Sequence, residues 1–114
     1  MLRTLSLKFR THTNEEAVDA TQIAIRNALA SKQAVGKVVH GYGSDGVGGS
    51  NKSFIHSFLE ESRNNGSIKN FIPGEKLRRA DLNDLSRRFS GYKNDFKQLQ
   101  RDCGNQGITL IIIR

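Results

Sequence analysis

Cysteine is nearly absent: Cys103 is the only one among 114 residues. An internal disulfide is therefore excluded, and the usage fits a reducing compartment, the cytoplasm. Nothing beside Cys103 marks an activating base, which argues against a catalytic thiol. There are only three histidines, and no pair of His, Cys, Asp or Glu stands at ligand spacing for zinc. No stretch approaches the ~20 consecutive apolar residues of a membrane span. Residues 1–9 alternate apolar and polar and lack the continuous apolar run of a secretory leader. Internal repeats and low-complexity tracts are also missing. Acidic residues are scarce, with 11 Asp and Glu against 18 Lys and Arg, a formal charge of +7. The isoelectric point near 10.0 points to acidic partners, nucleic acid before an anionic membrane surface.

The length fits one domain over residues 1–114, with a two-layer core. Leu5, Leu7 and Phe9 alternate with Thr4, Ser6, Lys8 and Arg10, the period of a strand. Thr13-Asn14-Glu15-Glu16 has the form of a capping box. Ala17, Ala20, Ala24, Ala28 and Leu29 follow at helical spacing, which predicts a first helix over about 14–32 whose small side chains lie close to a sheet. Gly36 is read as a stop before a second strand at 37–40. A second helix, capped by Ser50 or Asn51, carries Phe54, Ile55, Phe58 and Leu59 and ends at Asn64-Asn65-Gly66. A third strand is expected at 67–72, then a Pro73-Gly74 turn. The run Ile108-Thr109-Leu110-Ile111-Ile112-Ile113 reads as a buried, central strand. Between them, residues 75–104 form a basic insert of one or two short helices, hinged near Ser90-Gly91. The order is β-α-β-α-β-(helical insert)-β, an α/β fold with parallel strand-helix-strand units.

Between the second strand and second helix lies His40-Gly41-Tyr42-Gly43-Ser44-Asp45-Gly46-Val47-Gly48-Gly49-Ser50, with five glycines. Strand, glycine loop and helix start gather backbone N–H groups at one spot, a setting for an anion. In a chain this basic the expected anion is the phosphate of a nucleic acid. Gly41 to Gly46 spells GxGxxG, but it does not open the helix directly and no acidic residue ends the following strand, against a dinucleotide site. Gly46 to Ser53 nearly spells a nucleotide-triphosphate loop, with Asn51 where the second glycine belongs. His40 can bind phosphate when protonated or act as general acid or base. Tyr42 can stack on a base. Lys37, Lys52, Arg87 and Arg88 are candidate phosphate contacts. His12 and His56 read as ordinary surface residues, His56 on the polar side of the second helix.

Leu5-Ser6-Leu7-Lys8, the capped alanine helix, Val38-Val39-His40-Gly41-Tyr42-Gly43 and Gly104-Asn105-Gln106-Gly107 before the last strand together resemble the Smr (small MutS-related) domain family. His40-Gly41-Tyr42-Gly43 matches that family's hallmark His-Gly-x-Gly. The resemblance implies a compact two-layer α/β sandwich with a four-stranded mixed sheet, similar to the C-terminal domain of translation initiation factor three. It also implies DNA or RNA binding and, in several members, nicking or endonuclease activity. Gly49 takes the place of a further family glycine, and Asn51-Lys52 that of Leu-Arg. The family's first-strand acid and histidine are Ser6 and Lys8 here. A serine hydroxyl replaces poorly a carboxylate that acts as base or holds a metal, whereas Lys8 keeps positive charge. The expected function is therefore nucleic-acid binding by a stand-alone Smr-like domain, with endonuclease activity weak or lost. The phosphate-binding set is His40, Gly41, Tyr42, Gly43, Gly46, Gly49, Lys52, Lys8, Lys37, Arg87 and Arg88, with His40 as the catalytic candidate. Mg²⁺ enters only for a nuclease, with Asp45 as the loop's one carboxylate. The alternatives are an enzyme using the same loop on a small phosphorylated ligand, and a module whose basic insert meets an acidic protein.

Overall fold

The computed structural model describes residues 3–6 and 51 as backbone, and 13–40 and 52–114 with side chains. The expectations placed on Lys8, on His12 and on Gly41, Tyr42, Gly43, Asp45, Gly46 and Gly49 lie outside the described residues.

Strand β1 (Arg3–Ser6) leads to helix α1 (Asn14–Ala30). The capping box forms as the sequence predicts. The Thr13 hydroxyl accepts from the Glu16 N–H at 3.1 Å, and the Glu16 carboxylate accepts from the Thr13 N–H at 3.1 Å. Two otherwise orphaned amides are satisfied at once. Ala17, Ile25 and Ala28 are buried against the sheet, whereas Leu29, expected in the same stripe, is 43% exposed. The helix closes through Lys32, whose φ of 59° is left-handed and unusual for a residue with a Cβ.

Strand β2 (Val35–Val39) begins earlier than the sequence predicts. Gly36 is not a stop; it pairs within the strand, opposite Arg3 on one side and Ile111 on the other. Helix α2 (Asn51–Asn64) ends where expected, and Gly66, at φ 86°, takes the left-handed turn. The Ser67 N–H then closes the helix end on the Ser62 carbonyl at 2.9 Å. Because residues 65–69 are spent in this turn, strand β3 is Asn70–Pro73, shifted from the expected 67–72. A single turn of 3₁₀ helix (Gly74–Lys76) follows, then α3 (Arg79–Arg88), a second 3₁₀ turn (Ser90–Tyr92), α4 (Lys93–Leu99) and strand β4 (Ile108–Ile112).

The strand order is β1-β2-β4-β3. Strands β2, β4 and β3 are antiparallel neighbours, and β1 lies parallel to β2, as a strand-helix-strand unit requires. Strand β4 is central, and every one of its residues is buried.

That burial corrects the two-layer expectation. Ala17, Ile25, Ala28, Ile55 and Leu59 from α1 and α2 pack with Val38, Ile111 and Ile113 on one sheet face. Leu77, Leu82, Leu85, Phe96 and Leu99 from the 75–104 segment pack with Val35, Ile108, Leu110 and Ile112 on the other. The segment is a third layer, so the architecture is α/β/α. A strand covered on both faces needs apolar side chains at odd and even positions alike, which is why 108–113 does not alternate. Tyr92 ties this layer to the sheet: its hydroxyl accepts from the Ala34 N–H and donates to Gln33 Oε1, both at 3.1 Å.

Gly74 sits where only hydrogen fits. A Cβ there would lie 1.9 Å from the Asn105 carbonyl oxygen and 2.8 Å from Ile108 Cγ1. Its own carbonyl accepts from the Gly104 N–H at 2.8 Å. This contact locks the turn that carries Glu75 and Lys76 against the start of β4.

Candidate functional site

Along β2 and the residue that follows it, Gly36, Val38 and His40 share the face turned toward α1 and α2, while Val35, Lys37 and Val39 turn the other way. The antiparallel register sets Val38 opposite Thr109. His40, two residues on, therefore lies diagonally beside Thr109 on that face. The His40 N–H donates to the Gly107 carbonyl at 2.9 Å, which anchors the end of the strand.

From above, α2 brings down a stripe at positions 52, 55, 56 and 59, the i, i+3, i+4, i+7 spacing of one helical face. Ile55 and Leu59 fill the core, Lys52 lies at its edge, and His56 reaches Thr109. The Nε2 atoms of His40 and His56 lie 2.8 and 2.7 Å from Thr109 Oγ1. The two imidazoles meet edge to face with centroids 5.6 Å apart. Thr109 is 0% exposed and His40 4% exposed, while His56 is half-buried. The reading of His56 as an ordinary surface residue is thus corrected: it is part of a buried His-Thr-His cluster. Of the four apolar residues expected along this helix, Phe54, Ile55, Phe58 and Leu59, Phe54 is 51% exposed. The signal that would have found His56 is its i+4 spacing from Lys52, on the same side as Ile55.

One hydroxyl between two ring nitrogens fixes the proton arrangement. Thr109 has a single O–H to donate, so at least one of the two Nε2 atoms carries a hydrogen and donates to it. The two imidazoles are therefore coupled through one oxygen.

The charges around the cluster come from α2 and from the 74–76 turn. Lys52 Nζ donates to Glu75 Oε2 at 2.6 Å. Burial pushes the Glu75 carboxyl up, but the hydrogen bond and charge of Lys52 outweigh it, and the group titrates below the usual carboxylate range. The His56 imidazole titrates below its ordinary 6.5, first because it is buried and next because Lys52 repels a second positive charge. Glu75 opposes this shift and Lys76 adds to it. Lys76 makes no ion pair among the described residues. An open cleft beside the cluster is lined by His56, Ser57, Glu60, Phe71, Pro73 and Lys76.

The other sequence-selected cations are elsewhere. Lys37 faces the third layer and is bound to Asp102 at 2.8 Å, on the opposite side of the sheet from His40. Arg87 pairs with Asp84 and the Arg88 guanidinium lies 5.2 Å from the Phe89 ring centroid, both at the end of α3. The structure thus brings His40 and Lys52 together, adds His56, Thr109, Glu75 and Lys76, and separates Lys37, Arg87 and Arg88 from them.

No protein-family model and no curated protein matches the chain. Among solved structures it is similar to the Smr domain of Thermus thermophilus MutS2, with a TM-score of 0.58 over 99% of this chain and 96% of that one, at 16% identity. The fold is Smr-like. Within the Smr-like fold, the His40 cluster sits at the carboxyl end of β2, where open α/β sheets place their ligands. The described residues do not offer Mg²⁺ an oxygen-donor set, since no group of three His, Cys, Asp or Glu converges among them. Glu75 is engaged by Lys52, and the imidazoles are soft for so hard a cation. No helix of the described residues is long and apolar enough to cross a membrane.

Proposed function

We propose that this Smr-like chain is a nucleic-acid-binding domain that grips backbone phosphate at the carboxyl end of β2. The observation that carries the reading is the His40–Thr109–His56 cluster flanked by Lys52 and Lys76, on a chain of formal charge +7. Two coupled imidazoles beside two ammonium groups favour an oxyanion and disfavour a cation. In sequence the glycine-rich segment 41–50 follows His40 directly, and glycine-rich sequences of this kind offer backbone amides to phosphate. In this reading residues 1–114 act as one cytoplasmic domain, akin to the C-terminal domain of translation initiation factor three, with 75–104 as its basic third layer. Lys8, Lys37, Arg87 and Arg88 contribute to the field that steers the polyanion.

Ser6 takes the place of the family's carboxylate, so binding is retained and cutting is weak. His40, nearly enclosed, orders the cluster and holds the proton balance of the Thr109 hydroxyl. Binding to labelled single-stranded RNA, hairpin RNA and branched DNA tests the proposal by fluorescence anisotropy. Each neutralised phosphate releases counterions, so the association constant falls steeply between about 50 and 200 mM salt. A flat response across that range contradicts it. In the same samples, with and without Mg²⁺, the wild type leaves most substrate intact and Ser6→Asp increases cleavage. Equal cleavage by wild type, Ser6→Asp and His40→Ala identifies a contaminant or another site.

A further inference from the structure

We infer that the histidine that meets the phosphodiester is His56, not His40, and that a single strand of nucleic acid lies in the cleft between α2 and β3. The inference rests on the nucleic-acid reading above and deepens it. His40 is 4% exposed and lies beneath the corner, whereas His56 is half-buried and lines the open cleft. The Nε2 atom of His56 is taken by Thr109, and its Nδ1 makes no hydrogen bond among the described residues. Nδ1 is therefore the nitrogen that donates to a ligand oxygen once the ring is charged.

Every group that faces His56 bears on this step. Lys52, four residues before it on α2, and Lys76, from the 74–76 turn, both oppose its protonation. Glu75 favours protonation but is itself neutralised by Lys52. Glu60, on the next turn of α2, is paired with Arg63. His40 and Thr109 lie below it, and Phe71 of β3 packs at its side with ring centroids 5.8 Å apart. Among the described residues the corner carries net positive charge and no spare carboxylate. An incoming phosphodiester supplies the missing negative charge and raises the proton affinity of His56. Beyond the phosphate position, the Arg63 guanidinium lies over the Phe71 ring at 5.4 Å. A flat cation on an aromatic ring is a platform for an unpaired base, and it commits the occupant to a single strand.

Protonation is transmitted downward. A charged His56 must donate from Nε2 to Thr109 Oγ1. The Thr109 O–H is then directed at His40, whose Nε2 becomes the acceptor. Occupancy of the cleft therefore sets the tautomer of His40, and His56 acts on it as a positioning residue.

The test is anisotropy of a labelled oligouridylate and of the corresponding duplex, at fixed salt, between about pH 8 and pH 5.5, across the histidine range. The single strand binds more tightly as pH falls, by up to roughly tenfold per pH unit, the limit for uptake of one proton. The duplex binds more weakly and with a smaller pH slope. His56→Gln keeps a hydrogen-bonding group at Thr109, loses the slope, and weakens binding roughly tenfold at low pH. Lys76→Gln weakens binding and moves the pH-dependent range upward, because one charge opposing protonation of His56 is removed. The imidazole ¹⁵N spectrum supplies a readout that mere loss of structure does not give: added oligouridylate shifts His40 Nε2 to the unprotonated position. Salt-dependent binding that is unchanged by pH and by His56→Gln overturns this inference and leaves the nucleic-acid reading standing. Absence of binding to any nucleic acid overturns both.

Discussion

Replacing Thr109 by valine is the sharpest perturbation of the cluster, because it removes one hydroxyl and keeps the shape of a fully enclosed side chain. Two contacts of 2.8 and 2.7 Å disappear together. His40, nearly buried, loses a partner for Nε2, and such a loss costs about 1–3 kcal/mol. His56 is half-buried and turns to water, which limits its loss to about 0.5–1 kcal/mol. The added methyl group returns about 0.8 kcal/mol of burial. The net destabilisation is therefore about 1–3 kcal/mol. For a chain of this size, with a urea m-value of about 1–3 kcal/mol/M, the midpoint falls by roughly 1 M with an unchanged slope. Thr109→Ser is the control: it leaves a methyl-sized gap worth about 1 kcal/mol but keeps the hydroxyl, so the imidazole ¹⁵N signals stay as in the wild type. In the valine variant both Nε2 signals move. A valine variant as stable as the wild type, with both signals in place, refutes the claim that one hydroxyl couples the two rings.

Other perturbations have equally definite outcomes. Gly74→Ala forces a carbon to within 1.9 Å of the Asn105 carbonyl oxygen, a backbone atom that cannot swing aside. It costs about 3 kcal/mol or more, read as a lowered urea midpoint; a change under about 1 kcal/mol shows that the 74–76 turn is not locked. Tyr92→Phe removes the hydroxyl shared by the Ala34 N–H and Gln33, lowers stability by about 1 kcal/mol and raises hydrogen exchange at the Ala34 amide; unchanged exchange contradicts the tie between the third layer and the sheet. The pH dependence of stability follows from His56 and Glu75, both of which titrate lower in the folded chain than in the unfolded one. Below 6.5 the unfolded chain binds the extra histidine proton first, so stability falls as pH drops from there toward the folded His56 value. It falls again below the ordinary carboxylate value as Glu75 protonates, and His56→Gln removes the first of these two losses from the stability–pH curve. A curve that rises on acidification through the histidine range contradicts the assigned environment.

Local signals were the legible part of the fold. The Thr13–Glu16 capping box and the Gly66 helix stop depend on neighbours in sequence, and both form as written. The continuous 108–113 run predicts a central strand, and it has a further consequence for the layers around it. A strand apolar on both faces needs cover on both, and residues 75–104 supply the second cover. The charges of that segment mark the outside of α3 and α4, while Leu82, Leu85, Phe96 and Leu99 form the inside.

The candidate site was half legible for the same reason. His40 stood out because glycines follow it. His56 did not, since a helical stripe displaced by one residue reads almost equally well from sequence. The Lys52–Glu75 pair spans 23 residues, and the His40–Thr109 contact spans 69. Contacts at such separations depend on strand order, which no local pattern encodes. Lys37 shows the converse: its position three residues before His40 turns it to the other face, where Asp102 holds it.

The most direct test of phosphate recognition at the end of β2 is a backbone and imidazole NMR titration of the chain with a single-stranded RNA. Changes concentrated at His40, Lys52, His56, Lys76 and Thr109 are the predicted result. Changes confined to α3 and α4, or none at the two imidazoles while the RNA binds, contradict it.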